Sequence, residues 1–142
     1  MSSVSPISPV TPALQSFLAF DYGTRRVGVA SGNTLTHTAT PMRTIAAEGE
    51  ARFAAITALI EEWRPNALVV GVPFHPDGAA HDNTARARRF ARQLHGRFHL
   101  VVHEVDERYS TTEAHAQGAA DADAASAAII LEQYLRTLET TE

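Results

Sequence analysis

The chain has 142 residues, of which 44% are hydrophobic and 20% are charged, and its formal net charge is −4. These are globular values for one domain with its own core, and no apolar run approaches the length of a membrane span, so we expect one folded domain and no membrane partner. The chain has no cysteine, which excludes disulfides and zinc–thiolate sites and is compatible with the reducing cytoplasm.

The first predicted elements surround a turn near the start of the chain. Residues 1–16 have neither a basic start nor a continuous apolar run, so they predict a flexible tail rather than a signal peptide. The runs FLAFDY and VGVASG on either side of GTRR predict a β-hairpin over residues 17–32, and HTATPMRTI predicts a shorter third strand. We expect the folded domain to extend over residues 17–138, followed by a short tail over 139–142.

A helix is predicted from Glu48 to Trp63, with Pro65 just beyond it. Its large apolar residues recur at spacings of three and four and define one face. They are Phe53, Ile56, Ile60 and Trp63. The following run, ALVVGV, lacks alternation and predicts a strand covered on both faces.

The remaining elements alternate between helix and strand. A second helix is predicted with Asn83 or Thr84 as its cap and Gly96 as its end, and FHLVVHEV predicts the next strand. The segment DERYSTTEAHAQGAAD then crosses the surface and can include a short helix, and a final helix runs from about Asp121 to Leu138. The order βββαβαβα predicts an α/β fold, a mixed sheet flanked by helices.

The second predicted helix is strongly basic. Residues 84–97 carry five arginines and no acidic residue, whereas the chain from residue 104 onward is acidic. Arginines on one element and carboxylates on another suit a metal-dependent enzyme that acts on a polyanion, although two solvated faces would give the same pattern. The five are Arg86, Arg88, Arg89, Arg92 and Arg97.

Acidic residues from three segments are placed to converge. Asp21 interrupts an apolar run ahead of a turn that contains Arg25 and Arg26. Asp123 lies on the core-facing stripe of the final helix, four residues before Ala127. The third contribution comes where the run HLVVHEV ends, since strand-end side chains reach a site at the edge of a sheet. It is the pair Asp106 and Glu107.

Carboxylates that converge without basic partners repel one another, so cations are expected among them. Hard oxygen ligands favour Mg²⁺ or Mn²⁺, two of which can drive hydrolysis of a phosphodiester. The alternative is that Asp21 caps its own turn, Asp123 caps its helix and Asp106 pairs with Arg108. Arg108 could equally contact a transition-state phosphate.

Five segments in this order resemble the YqgF (RuvX) family: LAFDYGTRRVGVASG, LVVGVPFHPDG, NTARARRFARQL, VDERYSTTEA and DADAASAAIILEQYL. The resemblance spans residues 17 to about 137. It implies the RNase H-like fold of the RuvC-type Holliday junction resolvases and a cytoplasmic bacterial nuclease. The activity it implies is processing of the 5′ end of pre-16S rRNA, with Holliday junction resolution as the older proposal.

The resemblance also implies roles for the converging acids. Asp21 matches the acid of the first strand, Asp123 the acid that opens the last helix, and Asp106 with Glu107 the acids of the family's DER motif. All four are therefore catalytic candidates, and we favour Glu107 over Asp106 as the third metal ligand beside Asp21 and Asp123. The resolvases carry an acid at the end of the fourth strand, where this chain has Gly71 and Val72, and the loop over 112–121 is shorter than in many relatives.

The expected function is a metal-dependent endonuclease that leaves a 5′-phosphate and a 3′-hydroxyl. Its partner is expected to be pre-rRNA rather than branched DNA, together with a ribosomal precursor particle, and the protein is expected to be a monomer or a homodimer. A Holliday junction resolvase and a non-catalytic adaptor for RNA or protein remain alternatives. The predicted contacts to the nucleic-acid backbone are Arg25, Arg26, Arg86, Arg88, Arg89, Arg92 and Arg108.

Overall fold

The computed structural model describes residues 14–75, 77–107 and 122–139, apart from the side chain of Glu139. Eight elements follow one another in the predicted order βββαβαβα. They are β1 (Ser16–Tyr22), β2 (Val27–Asn33), β3 (Ala39–Ile45), α1 (Gly49–Trp63), β4 (Ala67–Pro73), α2 (Thr84–Phe98), β5 (Val101–Glu107) and α3 (Ala122–Glu139).

The strands form a five-stranded mixed sheet in the order β3-β2-β1-β4-β5. The pairs β1–β2 and β2–β3 are antiparallel, whereas β1–β4 and β4–β5 are parallel. The carboxyl ends of β1, β4 and β5 therefore meet at one edge of the sheet. The strands that precede the three helices, β3, β4 and β5, run in the same direction as β1, so each helix starts near this edge. The positive ends of the helix dipoles therefore also lie here.

Helices cover both faces of the sheet, and the alternation of β1 shows how. Leu18 and Phe20 pack in one core with residues of α1 and α2, while Phe17 and Ala19 pack in a second core with α3. Successive side chains of a strand point to opposite faces. Asp21 continues the series that faces α3, and β4 is buried on both faces as predicted.

Some predicted boundaries and contacts were wrong. Gly96 does not end α2, which continues to Phe98 and ends where His99 takes a left-handed φ of 58° and donates its N–H to the carbonyl of His95. The two extra residues stabilise the helix because Phe98 packs against the core. As a result, β5 begins only at Val101. Asn83 precedes the helix but makes no side-chain cap.

On α1, the buried face includes Leu59, while Trp63 remains 47% exposed. Trp63 is the last residue of the helix, and it borders a shallow cavity of about 140 Å³ beside the start of β1.

The predicted tails over residues 1–16 and 139–142 lie largely outside the described residues, which begin at residue 14 and end at residue 139. The segment after β5, with its short helix and Arg108, and the predicted helix start at Asp121 lie outside the described residues. No helix in the described ranges has both the length and the apolar character needed to cross a membrane.

Candidate active site

Asp21 lies near the end of the central strand, between two glycines. In register, Asp21 is opposite Gly28 on β2 and Gly71 on β4. A Cβ atom on Gly28 would lie 1.9 Å from the backbone oxygen of Asp123, and one on Gly71 would lie 3.1 Å from Oε1 of Glu107. The missing side chains thus give the start of α3 and the Glu107 carboxylate room to lie against Asp21.

Glu107 and Asp106 point to opposite faces of the sheet. Val105 packs against the α3 core, so Glu107, two residues later, lies on the same face as Asp21. Glu107 is only 6% exposed, whereas Asp106 is exposed on the other face. The structure thus places Glu107 with Asp21 and leaves Asp106 away from it. The side chains of Ile130 and Glu107 lie in the space beside Gly71 of β4.

Asp123 lies in the first turn of α3 and forms an ion pair with Arg26. Its Oδ2 is 3.1 Å from Nε of Arg26, and the two side chains are 28% and 64% exposed. The expectation that the converging acids have no basic partner was therefore wrong for Asp123. The turn after β1 is short enough to bring Arg26 back over the start of α3.

The environment of Asp21 opposes its ionisation. Burial raises the pKa of Asp21 well above its usual range, and the neighbouring charges of Glu107 and then Asp123 raise it further, while Ser126 lowers it. The hydroxyl of Ser126 is the buried side-chain oxygen that lacks a hydrogen-bond partner among the residues the structure covers. It favours the ionised carboxylate of Asp21 without completing a hydrogen bond of good geometry.

This donor set fits Mg²⁺ or Mn²⁺ in its chemistry. Carboxylates from β1, β5 and α3 and an unpartnered hydroxyl supply hard oxygen ligands, and a cation would relieve the repulsion on Asp21. The side chains do not yet form a coordination group, because within residues 14–75, 77–107 and 122–139 no three His, Asp or Glu side chains are placed to hold a metal ion. Asp123, drawn toward Arg26, would have to turn toward Asp21 to complete one.

The predicted nucleic-acid contacts are spread over two faces. Arg25 is exposed in the turn after β1. On α2, Arg86 and Arg89 border a cleft beside α1, whereas Arg88 lies toward β5, where its Nε is 3.5 Å from Oε1 of Glu104. Arg92 also faces β5. The basic helix therefore presents two separate basic flanks rather than one.

Two residues of interest had not been predicted. Ser126 follows Asp123 by three positions, so the helical period places both on one face, and this signal could have found it. Arg52 is 5% exposed. It lies four residues before Ile56 on the buried stripe of α1, which was the available signal.

Comparisons with known proteins agree with this architecture. The RuvX family, described as Holliday junction resolvase, matches residues 15–137. A protein of Polaromonas sp. named "Putative pre-16S rRNA nuclease" is 66% identical over 96% of this chain and 99% of its own length. A protein of Albidiferax ferrireducens with the same name is 66% identical over 91% of this chain and 83% of its own length.

Among solved structures, RuvC of Thermus thermophilus in complex with a Holliday junction substrate is similar. It has a TM-score of 0.57 and 15% identity over 89% of this chain and 97% of its own, which supports the RNase H-like fold. The family match covers most of the chain, and the relatives are named nucleases. The chain therefore belongs to the RuvX family.

Proposed function

We propose that this protein is a metal-dependent endonuclease that processes the 5′ end of pre-16S rRNA. The carrying observation is that the half-buried carboxyl of Asp21 lies beside Glu107 and Asp123, an arrangement that costs free energy unless a cation or a proton compensates it. Nuclease chemistry on a phosphodiester gives such a cluster a purpose. The names of the relatives support RNA as the substrate.

The proposed ligands of Mg²⁺ or Mn²⁺ are the carboxylates of Asp21, Glu107 and Asp123. When bound, the metal supplies an activated water and stabilises negative charge on the phosphodiester. Glu107 is fixed by its buried position on β5, and the nearby Ser126 favours the ionised form of Asp21. Asp106 points away from this cluster, so we give it no role as a ligand.

Arg26 has two roles in this proposal. In the structure described here it neutralises Asp123. When Asp123 turns toward Asp21, the guanidinium of Arg26 becomes free to hold a backbone phosphate, as arginine does through paired N–H groups. Arg25, Arg86, Arg88, Arg89, Arg92 and Arg108 remain proposed backbone contacts.

A second candidate substrate is a four-way DNA junction. It is favoured by the description of the family and by the fold shared with RuvC. Two-fold junctions are most simply cut by a two-fold dimer with two active sites, whereas an RNA end requires one. For either substrate, we propose that the protein is cytoplasmic. If the substrate is RNA, we propose that its partner is a ribosomal precursor particle.

The test is cleavage of a 5′-extended pre-16S rRNA fragment beside a four-way DNA junction, each with Mn²⁺ or Mg²⁺. Wild type is compared with Asp21→Asn and with Asp106→Asn, which alters an exposed carboxylate on the other face. We expect wild type and Asp106→Asn to cut the RNA, and Asp21→Asn to lose at least two orders of magnitude in rate. Cleavage of the junction alone would favour the second candidate, and binding without cleavage would favour an adaptor.

A further inference from the structure

A cleft of about 320 Å³ lies on the face of the sheet opposite the carboxylates. It opens between the start of α1 and the first half of α2, at the same edge of the sheet as Asp21. Tyr22, the neighbour of Asp21 on β1, borders it, because successive strand residues face opposite ways. Three arginines also border it, and we call it the arginine cleft: Arg52, Arg86 and Arg89.

Arg52 is a buried cation held by neutral groups. It is 5% exposed, its Nε donates to the carbonyl of Ala47 at 2.8 Å, and its Nη2 donates to the carbonyl of Thr24 at 3.2 Å. The guanidinium carbon lies 5.5 Å from the centroid of the Tyr22 ring. No carboxylate of residues 14–75, 77–107 or 122–139 forms an ion pair with it. A buried charge without a counter-charge is costly.

The third nitrogen of this guanidinium makes no contact that holds it within the described part of the protein. Nη1 of Arg52 has no hydrogen-bond partner among the described residues. It is not sealed in the interior either, because the unpartnered buried side-chain atom in the described part of the chain is Oγ of Ser126. Arg52 lines the arginine cleft, so a ligand in the cleft has this guanidinium within its walls. The two hydrogen bonds of Nε and Nη2 hold the guanidinium in place.

The surroundings favour an anion. Gly49, the first residue of α1, borders the cleft, and Glu48 before it makes no side-chain cap, so the free N–H groups of the helix start lie here. Arg86 and Arg89 add two exposed positive charges at the rim. Glu48 also borders the cleft, but its carboxylate is exposed, and three arginines outnumber it.

We propose that the arginine cleft binds a backbone phosphate of the nucleic-acid strand whose other part lies at Asp21. This rests on the proposed function, since the strand is the substrate. A strand that reaches both places crosses the edge of the sheet at the turn between Thr24 and Arg26. Because the cleft offers guanidinium and backbone N–H donors to phosphate oxygens, it fixes the strand's path without selecting bases.

The experiment measures binding separately from cleavage. Fluorescence anisotropy of the labelled 5′-extended pre-16S rRNA fragment is recorded with the full chain in EDTA over a series of salt concentrations. The test variant is Arg86→Gln/Arg89→Gln, whose positions are exposed, so folding is not at risk. The control, Arg64→Gln/Arg136→Gln, removes two exposed charges at the C-terminal ends of α1 and α3, which lie roughly 20 Å along those helices from the sheet edge in question.

We expect the test variant to bind at least tenfold more weakly near physiological salt, and its plot of log affinity against log salt to be shallower by about 1–2. The control should change affinity less than threefold. Equal weakening in both variants, or none in the test variant, would overturn the proposal, as would absence of RNA binding by wild type. If wild type binds RNA through the cleft and cuts nothing, the nuclease proposal fails while this one stands.

A second measurement addresses Arg52 itself and the source of the phosphate. The Nε–H signals of ¹⁵N-labelled arginines are followed by NMR while inorganic phosphate, adenosine monophosphate or the RNA fragment is added. We expect the Arg52 signal to shift with the RNA fragment at concentrations well below those of the two small ligands. Saturation by phosphate or the mononucleotide with no response to RNA would overturn the proposal and assign the cleft to a free phosphate compound.

Discussion

Replacing Gly28 by alanine tests whether the close approach of α3 to β2 builds the carboxylate cluster. The backbone conformation of Gly28 is open to alanine, because Gly28 has no positive φ. The new Cβ atom would, however, lie 1.9 Å from the carbonyl oxygen of Asp123 and 2.9 Å from the backbone nitrogen of Ala124. The substitution therefore acts on packing alone.

The required movement follows from these distances. Contacts of a Cβ atom below 3.0 Å are essentially never found, so the start of α3 must retreat from β2 by at least about 1.1 Å. Overpacking of this kind costs about 1–3 kcal/mol, which lowers the Tm of a domain of this size by roughly 4–12 °C. Asp123 moves with the helix, and a misplacement near 1 Å is worth about 100-fold in rate.

The matched control is Gly96→Ala. Gly96 lies within α2, and a Cβ atom there meets nothing within 4 Å, so we expect alanine to stabilise the protein by about 0.5–1 kcal/mol. Thermal unfolding gives the Tm of both variants, and NMR titration of labelled aspartate carboxyls gives the pKa of Asp21. In Gly28→Ala that pKa should fall, first because the retreat of α3 exposes the Asp21 carboxyl to water and second because Asp123 recedes. An unchanged Tm and an unchanged Asp21 pKa in Gly28→Ala would refute this account.

Three further outcomes are expected. The folded state holds the proton of Asp21 more tightly than the unfolded chain does, so the metal-free free energy of unfolding should fall as pH rises through the raised pKa of Asp21, by about 1.4 kcal/mol for each unit by which that pKa is raised. In thermal unfolding scans, Asp21→Asn should reduce this dependence on pH. An equal slope in both proteins would contradict the prediction. Measured by electron paramagnetic resonance, Arg26→Gln should bind Mn²⁺ several-fold more tightly than wild type, because Asp123 loses the arginine that competes with the metal. Arg26→Lys should bind Mn²⁺ as wild type does. Weaker binding by Arg26→Gln would count against the proposal that Asp123 leaves Arg26 to bind the metal. Glu107→Gln should lower the cleavage rate at least 100-fold and Asp106→Asn less than threefold, and the reverse order would show that the other face of β5 carries the ligand.

The two faces of the sheet contribute differently in this picture. The α3 face brings together the carboxyls of Asp21, Glu107 and Asp123, and the opposite face holds Arg52, with which no carboxylate of the described residues forms an ion pair. Both lie at one edge, where helix N-termini gather. A polyanion drawn over this edge would meet a site for cleavage chemistry on one side and a site for positioning on the other.

The sequence by itself determined the order of the helices and strands. Hydrophobic period and turn residues are local properties, so the hairpin and the β4 strand could be predicted from them, and the helical period placed Asp123 on the inner side of α3. Local pattern was weaker at helix ends, since packing of Phe98 carried α2 past Gly96.

The tertiary structure decided which groups meet. The sequence left open whether Asp106 or Glu107 joins Asp21. The pleat of β5 points Glu107 toward Gly71 and Asp106 toward the opposite face. The sequence could not show that Arg26 reaches Asp123, nor that Arg52 is buried beside Tyr22, because both contacts depend on elements distant in the chain. Spacing along a chain fixes which face a side chain takes, whereas its partners are fixed only when strands and helices pack.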